Sequence, residues 1–139
     1  VSVPKQTDLE KTLPPAKLDE FLLAVNQFNQ GRYLECHETF EDVWRLQADP
    51  HRKLTQGIIQ FAVGLHHLEN ENRLGAAKLF KRALHHLTPF LEHVTGINVK
   101  RLCQQINTIL TQTESDAKGT TDKLEKIQIE LTDKLFQEP

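Results

Sequence analysis

One short stretch gathers the side chains best suited to chemistry: His37-Glu38-Thr39-Phe40-Glu41-Asp42-Val43-Trp44. On a helix, His37, Glu41 and Trp44 fall at i, i+4 and i+7 and share a face. Tyr33, Phe40 and Trp44 make that face apolar, so His37 is expected to point inward. A buried imidazole or carboxylate needs a partner, because an unsatisfied one costs about 1–3 kcal/mol. A tight hairpin turn over residues 46–49 would set His37 opposite Gln60 and Glu41 opposite Gln56. Gln56, Gln60, Val63 and His67 themselves recur at helical spacing. Two helices would then turn polar groups toward each other across an apolar seam.

Three kinds of chemistry suit such a seam. The first is structural, a His-Glu-Gln hydrogen-bond network that fixes how the hairpins pack. The second is a metal or small-ligand site, since histidine and carboxylates on facing helices are the usual materials of one. A divalent metal would use His37, Glu41 and His67, with Glu38 as candidate catalytic base, and hydrolysis by metal-bound water would follow. Established metal motifs do not match: the H-E-x-x-H spacing ends here on Glu41, and no glutamate has histidine three residues later. The third is a protein-interaction module or homo-oligomer that holds a partner helix in a groove or along an amphipathic tail.

Those side chains must be held by helices. Pro14 and Pro15 open the first predicted helix, whose Leu18, Phe21, Leu22, Val25 and Phe28 keep helical spacing until Asn29-Gln30-Gly31. The second carries Tyr33, Cys36, Phe40, Val43 and Trp44. Asp49-Pro50 reads as an N-cap with proline in the first turn, and a third helix then runs to about Leu68. It is apolar on several faces, as a central helix should be. Asn72 reads as the next N-cap, and Gly75-Ala76-Ala77 as small residues that admit a neighbour. A fifth helix begins at about Asn98 and reaches Leu110. The expected fold is all-α: a compact bundle of five to six helices, two antiparallel hairpins of tetratricopeptide-like form around the central third helix. The domain plan is a polar leader (1–15), a bundle (16–110), a polar linker (111–121) and an amphipathic C-terminal helix (122–139) with an Asp122-x-x-Glu125 capping box. Apolar positions also recur at an offset of 40, Phe21, Phe40 and Val43 aligning with Phe61, Phe80 and Ala83.

Composition bounds the function classes. The 139 residues suffice for one core, and a net charge of -2 argues against a general nucleic-acid binder. Arg73, Lys78, Lys81 and Arg82 therefore read as a solvated face, and His66, His85, His86 and His93 as edge residues. No apolar run approaches a membrane span. Cys36 and Cys103, far apart and outside any C-x-x-C pattern, read as reduced thiols of a cytoplasmic protein, or of the plastid stroma in a plastid-bearing source.

Tyr33 through Trp44 resembles an aromatic-x-x-x-H-E-x-x-E-x-x-W block, and Gln56-Gly57-Ile58-Ile59-Gln60-Phe61-Ala62 resembles a Q-G-hydrophobic-I-Q-hydrophobic-A block. With His67-Leu68, Asn72 and Gly75-Ala76 in order, residues from Phe21 to Leu87 resemble the all-helical family known as domain of unknown function number 309. The resemblance implies a helical fold and no established activity. It puts the family's polar signature on His37, Glu38, Glu41, Gln60, His67 and Asn72.

Overall fold

The computed structural model describes residues 8–93, 95–115 and 127–132. Among them run six helices: α1 (Asp8–Thr12), α2 (Pro15–Asn29), α3 (Tyr33–Trp44), α4 (His51–Glu69), α5 (Arg73–Leu87) and α6 (Val99–Glu114), with a 3-10 turn at Thr88–Phe90. The chain is an all-α bundle in which each of α2 to α5 packs against the next helix in chain order. Aromatic rings link four of these helices, α2 to α5. Phe21 meets Phe40 edge-on at 5.3 Å, Phe28 lies 5.6 Å from Phe61, and Phe61 lies 5.7 Å from Phe80. Such pairs contribute about 0.5–1.5 kcal/mol each beyond the area they bury. The third expected helix, α4, touches α2 through these rings and α1, α3 and α5 through its flanks, and so is central.

The offset of 40 extends from apolar pattern to backbone. At the end of α2, Gln30 N–H donates to Asn26 O, Gly31 N–H to Phe28 O and Arg32 N–H to Gln27 O. At the end of α4, Asn70, Glu71 and Asn72 donate in the same way to His66, Leu68 and His67. The left-handed residue of each turn sits at the matching place, Gly31 with φ 79° and Glu71 with φ 62°. Two helix-turn-helix units are thus built on one turn, closed by the hydrogen bonds that commonly end helices.

Close approach of α4 to α5 comes from α4. A Cβ on Gly57 would lie 2.8 Å from Leu87 Cγ, and one on Gly64 only 2.6 Å from Phe80 Cε1. Gly75, expected to admit a neighbouring helix, instead stands against the side chain of Asn72. That side chain caps α5 as expected, Gly75 N–H donating to Asn72 Oδ1 at 3.1 Å.

Four expectations about the ends of elements are corrected. The polar leader includes α1, because Leu9 and Leu13 are buried in the core. Asp49 does not cap α4, which begins one residue later with Pro50 as N-cap; Arg52 and Lys53 N–H donate to the carbonyls of Ala48 and Pro50 instead. The linker expected from Thr111 does not begin there, because α6 continues to Glu114 and buries Thr113, whose hydroxyl donates to Ile109 O. Finally, residues 127–132 of the expected C-terminal helix run extended, with an antiparallel bridge between Ile97 and Leu131. Ile127, Gln128, Ile129, Glu130 and Leu131 alternate in polarity, the period of a strand. The capping box at Asp122 and Glu125 lies outside the described residues.

Candidate functional site

His37 lies on α3 with its ring partly covered. Its Nε2 is 2.8 Å from Glu41 Oε1, one turn along the same helix. Arg45 Nη2 reaches the other oxygen of that carboxylate at 3.5 Å. With Nε2–H donating to Glu41, the neutral ring presents Nδ1 as an acceptor, yet Nδ1 is buried and has no partner among the described residues. Glu38 is exposed on the outer side of α3.

The facing stripe on α4 takes its bonds elsewhere. Gln60 Oε1 accepts from His86 Nδ1–H of α5 at 2.8 Å, and the same N–H lies 3.0 Å from Arg82 O. At the C-terminal end of α4, Asn72 Nδ2–H points to His67 Nδ1 at 3.4 Å, so one amide caps α5 and reaches back to α4. The expected pairings of His37 with Gln60 and of Glu41 with Gln56 do not form. The reason is reach. Glu41 sits on the same helix as His37, where i, i+4 partners meet without help from tertiary structure. The close α4–α5 contact then takes Gln60 to the other neighbour.

The seam is therefore three separate pairs, not one network. Among the described residues no three of His, Cys, Asp and Glu come together as a metal-holding group, so His37, Glu41 and His67 are not gathered into the ligand set first considered. His86, read from sequence as an edge residue, is instead the partner of Gln60.

The hairpin between α3 and α4 holds a second group that the pattern reading passed over. Of the seven buried side-chain N and O atoms without a hydrogen-bond partner among the described residues, six lie within residues 37–55: His37 Nδ1, Trp44 Nε1, both amide atoms of Gln47, Arg52 Nε and Thr55 Oγ1. Gln47 is 6% exposed and Thr55 fully buried. The Arg52 guanidinium carbon stands 3.8 Å above the Trp44 ring, a contact that combines stacking with cation–π attraction. The first turn of α4 has no acidic residue and carries Arg52 and Lys53, which add to the positive end of the helix dipole. The available signal was the adjacent Arg52-Lys53 in the first turn that follows Asp49-Pro50, since a helix start favours anions.

The thiol nearest the site is inert. Cys36 Sγ–H donates to Tyr33 O at 3.3 Å, and burial pushes its pKa up to about 12. Tyr33 is likewise pushed up to about 12, first by burial and then by the charge of Glu69. Neither supplies a nucleophile at neutral pH.

The model of the family described as Domain of unknown function (DUF309) matches residues 21–79, from α2 through the middle of α5. Over residues 21–79 the chain is similar to that family. Its polar pairs and its unpartnered hairpin atoms all belong to that span, save His86. The chain is 32% identical over 88 residues to the Uncharacterized protein YpuF of Bacillus subtilis (strain 168), a match covering 60% of this chain and 49% of YpuF. An Uncharacterized protein of Aquifex aeolicus (strain VF5) is 27% identical over 84 residues, covering 60% of this chain and 25% of that protein. The chain thus spans about half the length of YpuF and a quarter of the Aquifex protein. No described helix is long and apolar enough to cross a membrane.

Proposed function

We propose that the α3–α4 hairpin of the DUF309-like segment is a recognition site for a small anionic ligand, a carboxylate above all, beside the Trp44–Arg52 pair. One observation carries this reading: six buried polar atoms without a partner among the described residues are concentrated in that single hairpin. Buried polar atoms in proteins nearly always have partners, so a cluster of exceptions needs a chemical reason. Trp44 Nε1–H, Arg52 Nε–H and the Gln47 amide are donors, and an ionised guanidinium is a strong donor to a carboxylate. The acid-free first turn of α4 favours the same charge. Glu38 and the divalent metal considered with it have no such support.

Trp44 is the single tryptophan of the chain, so its fluorescence and its one indole N–H resonance report on the site. Titrating the protein with acetate, succinate, citrate and inorganic phosphate should shift that resonance saturably for at least one carboxylate. The Arg52→Gln variant should lose the shift while keeping its helical circular dichroism. No response to any of the four would leave these groups as packing elements and overturn the reading.

A second reading has its own observation. The bonds His37–Glu41, Gln60–His86 and His67–Asn72 each tie a helix or a turn in place, which supports a structural role for the signature residues alongside ligand recognition. Cys36 and Cys103 are both free and buried, which fits a reducing compartment such as the cytoplasm.

A further inference from the structure

Residues 127–132 lie against the end of α2, the loop before α6 and α6 itself, and are held chiefly through their backbone. Asn29, the last residue of α2, donates from Nδ2 to Ile129 O at 3.0 Å and accepts from Ile129 N–H at 2.7 Å. Gln105 of α6 does the same for the preceding residue, donating to Gln128 O at 2.8 Å and accepting from Gln128 N–H at 2.9 Å. Asn98 N–H donates to Glu130 O at 2.8 Å, and Thr132 N–H to Gly96 O at 2.9 Å. Two side-chain amides and one loop edge thus satisfy much of this extended backbone, and the Gln128 side chain adds one bond of its own, Nε2–H donating to Asn29 O at 3.0 Å. Selectivity comes from the alternate positions. Ile127 and Ile129 are 7% and 3% exposed, and Glu130 stands 3.5 Å from Arg101 Nε. Backbone bonds for affinity and alternate side-chain seats for specificity are how proteins bind extended peptides. An open cleft of about 290 Å³, lined by Arg101, Gln105, Thr108, Ile109 and Ile127 among others, continues the seat along α6.

We infer that this groove is a peptide-binding site that takes residues 127–132 of a second copy of the chain as well as its own. The apolar-x-apolar-acid segment that fits it is supplied by the chain itself. An exchanged strap makes the same bonds and fills the same seats as the resident one, which is the condition under which identical elements are swapped between protomers at low cost. The binding groove and the α3–α4 hairpin use different residues, so either assignment stands without the other.

Two full-length variants test the exchange. One, I127D/I129D, keeps the groove and disables the strap; the other, N29L/Q105L, keeps the strap and disables the groove. Mixed in equal amounts, they should form a 1:1 complex of twice the monomer mass in sedimentation velocity, while each alone stays monomeric. The strap-disabled variant should also bind a synthetic peptide of residues 126–133, and an Ile127→Ser/Ile129→Ser version replaces it should the aspartates prevent folding. A mixture that stays monomeric, with both variants helical by circular dichroism, overturns the inference. Peptide binding without the heterodimer also overturns it, because the groove would then take the segment only from its own chain.

Discussion

At the scale of single residues, the outcome depends on which partner is nearest. His37 takes Glu41 because a helix delivers an i, i+4 neighbour at no further cost, and such partly exposed pairs contribute about 0.2–0.5 kcal/mol. Glu71 presents the opposite case, a residue in a conformation its side chain disfavours. Gly31 fills the equivalent place in the first unit at φ 79°, whereas Glu71 holds φ 62° with a Cβ. A left-handed residue other than glycine costs about 1–2 kcal/mol, part of which glycine returns as greater freedom in the unfolded chain. Glu71→Gly is therefore expected to stabilise the fold by about 0.5–1 kcal/mol, seen as a higher urea midpoint. An unchanged or lower midpoint would show that Glu71 makes a compensating interaction. Asn72, three-dimensionally the joint between α4 and α5, should cost about 1 kcal/mol when replaced by alanine, through the lost cap on Gly75.

At the scale of elements, α4 and α5 form the closest packed pair, and two glycines one heptad apart permit it. Phe80 occupies the space a Cβ at Gly64 would need, and ring and backbone are both confined by the core. Gly64→Ala is expected to destabilise by about 1–3 kcal/mol through overpacking, measured as a lower thermal midpoint. A neutral result would mean that α5 can slide, and Gln60–His86 would then lengthen with it. The helices themselves were readable from sequence because their stripes are long and strongly periodic: Leu18 to Phe28, Tyr33 to Trp44 and Leu54 to Leu68 each became a helix within a residue or two of the expected ends. The ends were less readable. Asp49 has the residue type of a cap but lost its place to the carbonyls of Ala48 and Pro50, and the pattern Leu124, Ile127, Leu131 suited a helix as well as Ile127, Ile129, Leu131 suited a strand. Short segments carry both periods, and only a seat in the tertiary structure selects one.

At the scale of the whole molecule, burial of weakly acidic groups sets the response to alkali. Cys36 and Tyr33 ionise near 9 and 10 when free and near 12 in the folded chain. The unfolded state therefore loses protons first as pH rises. Their contribution to stability is fully present below about pH 9 and is lost progressively toward pH 12. The urea midpoint should fall across that window. Cys36→Ala should remove the part of the fall that begins near pH 9, and Tyr33→Phe the part that begins near pH 10. A midpoint independent of pH over this range, with helical structure retained, would contradict burial of both groups.

The sequence by itself determined what is local: an all-α chain, the spans of α2 to α5, the cap at Asn72, the core role of Cys36 and the DUF309 resemblance of residues 21–79. Spacing at 3.6 residues per turn settles which side chains share a face of one helix. It does not settle which face of the next helix they meet, since that depends on turn geometry and on how closely two helices can approach. The tertiary structure decided those pairings. It sent Gln60 to His86, left His37 with Glu41, and put Arg52 over Trp44. It also drew residues 127–132 into an extended strap, because Asn29 and Gln105, distant in sequence, together offer an extended backbone the partners a helix would have supplied internally.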